Sequence, residues 1–283
     1  MDLYRVNPDR DLPRLREFLS ESDPHDYLLE NIDEWIRDGR LWAGVEAGSW
    51  VAFGRVHDLG HREGWVSGLR VRLSRRGQGL GGEFLTGLLS DGHSLGLTEL
   101  GAVIEDGNLA SRRLFTRHGF HPVCEMTLRC GKVETAGAEP LRPASTGEGL
   151  DGPIGWIPSR TQWVDLLPGT DGGRFGRWDP QIVDRWIKER KLYLGPGLAA
   201  AVQVDWLYEP RTMWVNPLRG EPSALIPAIS SLARGLGQEG WQAYLPSTEE
   251  LRREYANLGL RAHPHWGDRI QLYERVEGGA SSR

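Results

Sequence analysis

The stretch best suited to chemistry is Leu69–Gly82, LRVRLSRRGQGLGG. An apolar alternation ends at Val71, Arg75 and Arg76 follow, and Gly77, Gly79, Gly81 and Gly82 then open a helical pattern. Closely spaced glycines admit backbone conformations closed to other residues and keep side chains out of a ligand's way. Successive amide N–H groups, joined by the free donors of a helix N-terminus, form a cradle for phosphate oxygens. The two arginines add positive charge beside it. The pattern predicts a phosphate-binding turn between a strand and a helix.

The spacing narrows the ligand. Gly77–Gly82 also satisfies G-x-G-x-x-G, the dinucleotide pattern, which needs an acidic residue closing the next strand to hold a ribose. Glu99 has the separation but precedes the strand predicted at Leu100–Ile104, and the loop follows several strands instead of the first. No G-x-x-x-x-G-K-[ST] is present, which excludes a nucleoside triphosphatase loop.

Arg76-Gly77-Gln78-Gly79-Leu80-Gly81 resembles the R/Q-x-x-G-x-G/A signature of the GNAT superfamily of acyl-coenzyme A-dependent N-acetyltransferases, and Leu69-Arg70-Val71 resembles the strand before it. Asn108–Phe120, NLASRRLFTRHGF, resembles that family's next motif, N-x-x-[AS]-x-x-L-Y-x-x-x-G-F. The resemblance extends over about residues 1–130 in element order. It implies acetyl-CoA as co-substrate, no metal, and a primary amine of a small molecule or peptide as acceptor. It implies a coenzyme site made of Leu69, Val71, Arg76, Gly77, Gln78, Gly79, Leu80, Gly81, Gly82, Asn108 and Ser111. The amides of Gln78–Gly82 would take the pyrophosphate. The main chain of Leu69 and Val71 would pair with the pantetheine arm, and Asn108 and Ser111 would flank it. Asn108 also reads as a helix N-cap, a role compatible with facing a ligand.

Two positions depart from the family. Where the motif has its frequent general acid, Tyr, this chain has Phe115, and where many members carry a basic Glu it has Ser67. The acid–base pair is therefore unassigned. Other residues could serve: His57, Asp58, His61 or Glu63 around one strand turn, or Glu105 and Asp106 at a strand end. Alternatively, a neutral amine held against a thioester needs mostly positioning, or the protein binds an acyl-CoA without transferring it.

Stepping outward, the elements predicted for the first half are strand Leu3–Val6, helices Asp11–Leu19 and Tyr27–Asp38, strands Leu41–Glu46, Trp50–Asp58 and Gly64–Val71, helix Gly81–Leu89, strand Leu100–Ile104, helix Leu109–Arg117 and strand His121–Arg129. This alternation gives an α/β (α+β) fold, a mixed twisted sheet flanked by helices. A second half repeats the later part, with strands Ala199–Leu207 and Met213–Val215, helix Ser223–Leu236, strand Gln242–Leu245, helix Glu249–Asn257 and strand Arg269–Arg275. EWIRDGRLW at Glu34–Trp42 matches RWIKERKLY at Arg185–Tyr193, and Gly101–Phe120 matches Trp241–Leu260. Two matches in one order predict the fold present twice, as residues 1–130 and 154–283, with Gly- and Pro-rich residues 131–153 as linker.

In the second half, Trp214–Pro222 stands where the glycine loop would be and carries Pro217 and Pro222 where amide donors are needed. That half reads as a degenerate copy without coenzyme, and Tyr255, aligned with Phe115, as a packed helix residue. Trp156, Trp163, Trp178, Trp186, Trp206, Trp214, Trp241 and Trp266 concentrate there. They read as core, with the alternative that a few wall an acceptor pocket between the halves.

Composition bounds the rest. The chain has 283 residues, 39% hydrophobic and 26% charged, enough for two soluble domains with sizeable cores. Its net charge of −5 offers no global attraction to nucleic acid or anionic membrane. Cys124 and Cys130, six residues apart in one predicted strand, stand roughly 20 Å apart and cannot bridge. The first twenty residues are charged throughout and no apolar run reaches about 18 residues, so a cytoplasmic protein without signal peptide or membrane span is expected.

Overall fold

In a computed structural model, apolar residues at alternating positions form strands and stripes at helical spacing form helices, fifteen strands and seven α-helices among the described residues. The structure describes residues 1–22, 26–30, 32–37, 40–133, 138–148, 150, 163–165, 175–177, 180–204, 211–264 and 269–276. In chain order the first elements are β1 (Asp2–Arg5), α1 (Pro8–Ser22), α2 (Ile32–Trp35), β2 (Arg40–Glu46), β3 (Ser49–Gly60), β4 (Glu63–Val71), α3 (Leu80–Ser94), β5 (Glu99–Glu105), α4 (Leu109–Arg117) and β6 (His121–Lys132). After them come β7 (Arg142–Pro143), β8 (Trp163–Asp165), β9 (Phe175–Arg177), α5 (Pro180–Lys188), β10 (Leu192–Gly195), β11 (Leu198–Gln203) and β12 (Thr212–Arg219). The last are α6 (Pro222–Gly235), β13 (Gly240–Pro246), α7 (Glu249–Asn257), β14 (Arg261–Ala262) and β15 (Ile270–Val276). Among the described residues no helix is long and apolar enough to cross a membrane.

The chain divides into two compact units. Unit 1 holds Met1–Ile104, Asn108–Pro122 and the strand residues from Tyr273 on; unit 2 holds Glu105–Gly107 and Val123–Leu272. In unit 1 the strand order is β1-β2-β3-β4-β5-β15. One face of this sheet packs Phe84, Leu85 and Leu88 of α3 and Phe115 of α4 against Ala52, Val56, Val66 and Leu100. The other packs Phe18 and Leu19 of α1 and Trp35 of α2 against Ala43, Trp50 and Phe53. In unit 2 the order is β6-β13-β12-β11-β10-β7, with β14 on the far side of β6. Its α6 buries Leu225, Ile229 and Leu232 against Met213, Val215, Trp241 and Ala243.

The mixed α/β architecture is as expected, with three differences of physical interest. The helix expected over Tyr27–Asp38 is a 3-10 turn at Tyr27–Glu30 followed by the short α2. Buried Arg55 takes the Trp35 carbonyl, its Nη1 donating at 3.0 Å, so that oxygen serves the sheet instead of a further helical turn. Residues 131–153, expected as a linker, are in part structure. Gly131 and Lys132 finish β6 against β13, Leu141 is buried in the unit 2 core, and β7 pairs with β10. Finally, β12 runs on to Arg219 although Pro217 lacks an N–H. Its pairing with β13 stops at Trp214↔Gln242, so the missing donor falls where that edge has no parallel partner.

The helix ends repeat between the units. Asn108 Oδ1 accepts from Ser111 N–H at 3.1 Å, and Thr248 Oγ1 from Leu251 N–H at 3.2 Å. Each helix closes with a left-handed glycine, Gly119 at φ 82° and Gly259 at φ 79°. The next amide returns to the carbonyl five residues back, Phe120 to Phe115 and Leu260 to Tyr255. These are Schellman endings in which only glycine takes the φ without cost.

Candidate functional site

Strands β4 and β5 are parallel but paired only over Glu63–Trp65 with Glu99–Gly101. From Val66 to Val71 the β5-facing edge of β4 has no strand partner among the described residues. On its other edge β4 pairs with β3, and there Gly68 and Leu69 together face Gly54, a bulge with Gly68 at φ 67°. The bulge is fixed by packing: a Cβ on Gly68 would overlap the Trp35 ring. Trp35 in turn lies 3.9 Å beneath the Arg55 guanidinium.

At the end of β4 a single 3-10 turn, Leu73–Arg75, leads into the glycine loop. Gly77 and Gly79 have φ of 78° and 83°, and nothing lies within 4 Å of where their Cβ atoms would stand. They set the path of the loop. Gly81 and Gly82 already belong to α3, where a Cβ would meet Leu114 and His118 at ordinary contact distance. Among the described residues the amides of Gly77, Gln78, Gly79, Leu80 and Gly81 have no backbone acceptor. Gly82 N–H donates to Gly79 O at 2.9 Å, so the donor run expected at Gln78–Gly82 is shifted back by one residue. The helical turn claims that amide.

The charges sort themselves by partner. Arg75, expected to face the anion, instead donates to Glu46 Oε2 at 2.5 Å and to Gln78 Oε1 at 2.9 Å. Exposed Arg76 donates from Nε to Val71 O at 3.1 Å and forms no ion pair among the described residues. The loop is also held from α4, where His118 places its two ring nitrogens 2.8 Å from Leu114 O and 3.1 Å from Gly82 O. Leu69 and Val71 pack their side chains against the α3 core. Asn108 and Ser111 occupy the first turn of α4 with Asn108 Oδ1 spent on the cap.

The alternative acids and bases fare unevenly. His57, Asp58, His61 and Glu63 surround the β3–β4 turn, roughly 26 Å of extended strand from the loop at the other end of β4. They take no part in this site. Glu105, the last residue of β5, is exposed, and Asp106 lies 3.4 Å from Arg269. Ser67 Oγ accepts from Arg55 Nε at 3.2 Å, a buried cation where the family's base would sit. Phe115 is 5% exposed and packs edge-on against Phe120.

In unit 2 the corresponding turn between β12 and α6 is only Gly220-Glu221, with Pro222 opening the helix. Trp214–Arg219, expected in place of the loop, belongs to β12 itself. Proline removes one amide and the Glu221 carboxylate stands at the helix N-terminus, where a phosphate would be repelled. Tyr255 is fully buried with its hydroxyl unpartnered among the described residues, and burial raises its phenol well above the ordinary range. Trp186, Trp214 and Trp241 are buried at 1% exposure each, while Trp156, Trp178, Trp206 and Trp266 and the side chain of Trp163 lie outside the described residues.

Residues 11–120 match the model of the acetyltransferase (GNAT) family. Three solved structures share the fold over nearly the whole chain. A candidate acetyltransferase from Thermoplasma acidophilum is 17% identical with a TM-score of 0.63, covering 98% of this chain and 100% of that one. A GCN5-related N-acetyltransferase from Sphaerobacter thermophilus is 16% identical with a TM-score of 0.57, covering 97% and 95%. A candidate acetyltransferase from Pyrococcus horikoshii is 11% identical with a TM-score of 0.58, covering 98% and 89%. Among curated proteins nothing matches the chain.

Proposed function

We propose that unit 1 binds acetyl-CoA and transfers its acetyl group to a primary amine of a small molecule or peptide. One observation supports this above the others: the amides of Gly77–Gly81, which have no backbone acceptor among the described residues, lie directly beyond the part of β4 that is not paired with β5. A pyrophosphate fits the first, with Arg76 beside it, and the amides of a pantetheine arm fit the second at Leu69 and Val71. Asn108 and Ser111 flank that arm. The amine attacks the thioester carbon, the C–S bond breaks with its electron pair on sulfur, and the ammonium proton passes to solvent. A coenzyme thiol resembles a free cysteine, with a pKa of roughly 8.5, so the thiolate leaves without a tyrosine's help. The proposed reaction takes place in the cytoplasm and involves no nucleic acid, membrane or metal.

The test is calorimetric titration with coenzyme A, then acetyl-CoA turnover across an amine panel. Submillimolar binding and amine-dependent thiol release support the proposal; absence of binding refutes it. Phe115 and the Arg55-bound Ser67 favour a second reading, an acyl-CoA-binding protein without transfer. Binding without turnover on any amine would establish that one.

A further inference from the structure

Unit 1 contains a strand that the family match at residues 11–120 does not include. β15 lies beside β5, and its residues Tyr273, Glu274 and Arg275 each hold the α4–β6 segment that carries the second coenzyme motif. Tyr273, 2% exposed, shares the core cluster of Phe115 and Phe120, and its hydroxyl oxygen accepts from Arg112 Nε at 3.2 Å. Glu274 Oε1 is 3.0 Å from His121 Nε2. The Arg275 stem lies along Gly119, its Cδ and Nε 3.8 and 3.6 Å from where a glycine Cβ would stand.

Helix α4 has only nine residues, too few to hold its own position in water. On one flank it is placed by α3, through Leu114 and His118 against Gly81 and Gly82. On the other flank the contacts come from β15. Arg112 follows Ser111 directly in the turn that starts at Asn108, so whatever holds Arg112 also sets Asn108 and Ser111.

We infer that Tyr273 is a positioning residue for the coenzyme site, holding the first turn of α4 through Arg112, so that coenzyme binding and docking of β15 reinforce each other. The inference rests on the coenzyme reading of unit 1. Coupling between a ligand and a structural element is reciprocal: if the docked strand favours the coenzyme, the coenzyme must protect the strand.

The experiment uses the full chain with coenzyme A as probe. Tyr273→Phe keeps the ring and loses only the oxygen. Titrated well below the variant's unfolding midpoint, it should bind coenzyme A about three- to tenfold more weakly than the parent. Arg112→Gln should weaken binding at least as much, and the double variant no more than Arg112→Gln alone, because both remove the Tyr273–Arg112 contact. Saturating coenzyme A should slow amide hydrogen exchange at 273–276 in the parent, and by a smaller factor in Tyr273→Phe at the same concentration. General loss of stability moves the unfolding midpoint but neither readout. Unchanged affinity in Tyr273→Phe, or additive losses in the double variant, overturns the inference and leaves the coenzyme reading standing. A parent chain that does not bind coenzyme A overturns both.

Discussion

At Gly79 the left-handed backbone and the empty space around the absent side chain separate two effects of substitution. Gly79→Ala meets no atom and costs roughly 1–2 kcal/mol of backbone strain. Gly79→Glu carries the same strain and adds a carboxylate beside amides that await a phosphate. It should remain folded by circular dichroism yet lose coenzyme A binding entirely in calorimetry, while Gly79→Ala binds measurably. Phe115 separates packing from chemistry in the same way. Phe115→Ala should lower stability to urea by about 3–5 kcal/mol. Its turnover, measured where it is folded, should fall less than about a hundredfold, since no acid is removed; a larger fall at intact coenzyme affinity would give position 115 a direct catalytic role. Tyr255 carries a pH signature. Its buried phenol stays protonated in the native state while the unfolded phenol ionises near pH 10, so the native state binds more protons and stability falls as pH rises above about 10. Tyr255→Phe should flatten that alkaline fall and, by removing an unpartnered hydroxyl, leave neutral-pH stability unchanged or raised. A steeper fall in the variant contradicts this.

The bulge in β4 is the feature on which the elements around the site converge. Gly68→Ala combines a positive φ with collision against Trp35 and should cost about 2–4 kcal/mol in chemical denaturation. A loss under 1 kcal/mol would mean that Trp35 moves aside freely. At this scale the sequence was informative wherever the signal is local. The span of α4, its Asn108 cap and the Gly119 ending were all legible, because each depends on one residue type at one place. So was a strand-to-helix glycine loop. The course of residues 27–38 was not, because the partner that takes the Trp35 carbonyl is Arg55, twenty residues away on a strand. Nor was the length of β12, since whether a proline harms a strand depends on which edge is paired. The sorting of Arg75 from Arg76 depended on Glu46, still more distant in sequence.

For the whole molecule, the glycine loop offers five consecutive amides without a backbone acceptor among the described residues, whereas at Gly220-Glu221 Pro222 removes a donor and a carboxylate stands at the helix start, so calorimetry should return one coenzyme A per chain; a stoichiometry of two would contradict the account of Gly220-Glu221 and Pro222. The paired helix endings at Gly119 and Gly259 support our proposal that the two halves arose by duplication. The composition of the units was hidden in the sequence. Nothing in Tyr273–Val276 differs from an ordinary alternating strand, and the choice of β5 as neighbour is made by residues about 170 positions away. That separation has a consequence for how the protein is made. At typical rates of synthesis the roughly 150 residues between Pro122 and Tyr273 take about 8–30 s to emerge. Throughout that interval the nascent N-terminal portion carries the bare edge of β5, with Ala102 and Ile104 awaiting their cover. Such an edge invites pairing with another chain. Slow translation of the second half, or its premature termination, is thus expected to yield aggregates instead of a smaller working enzyme.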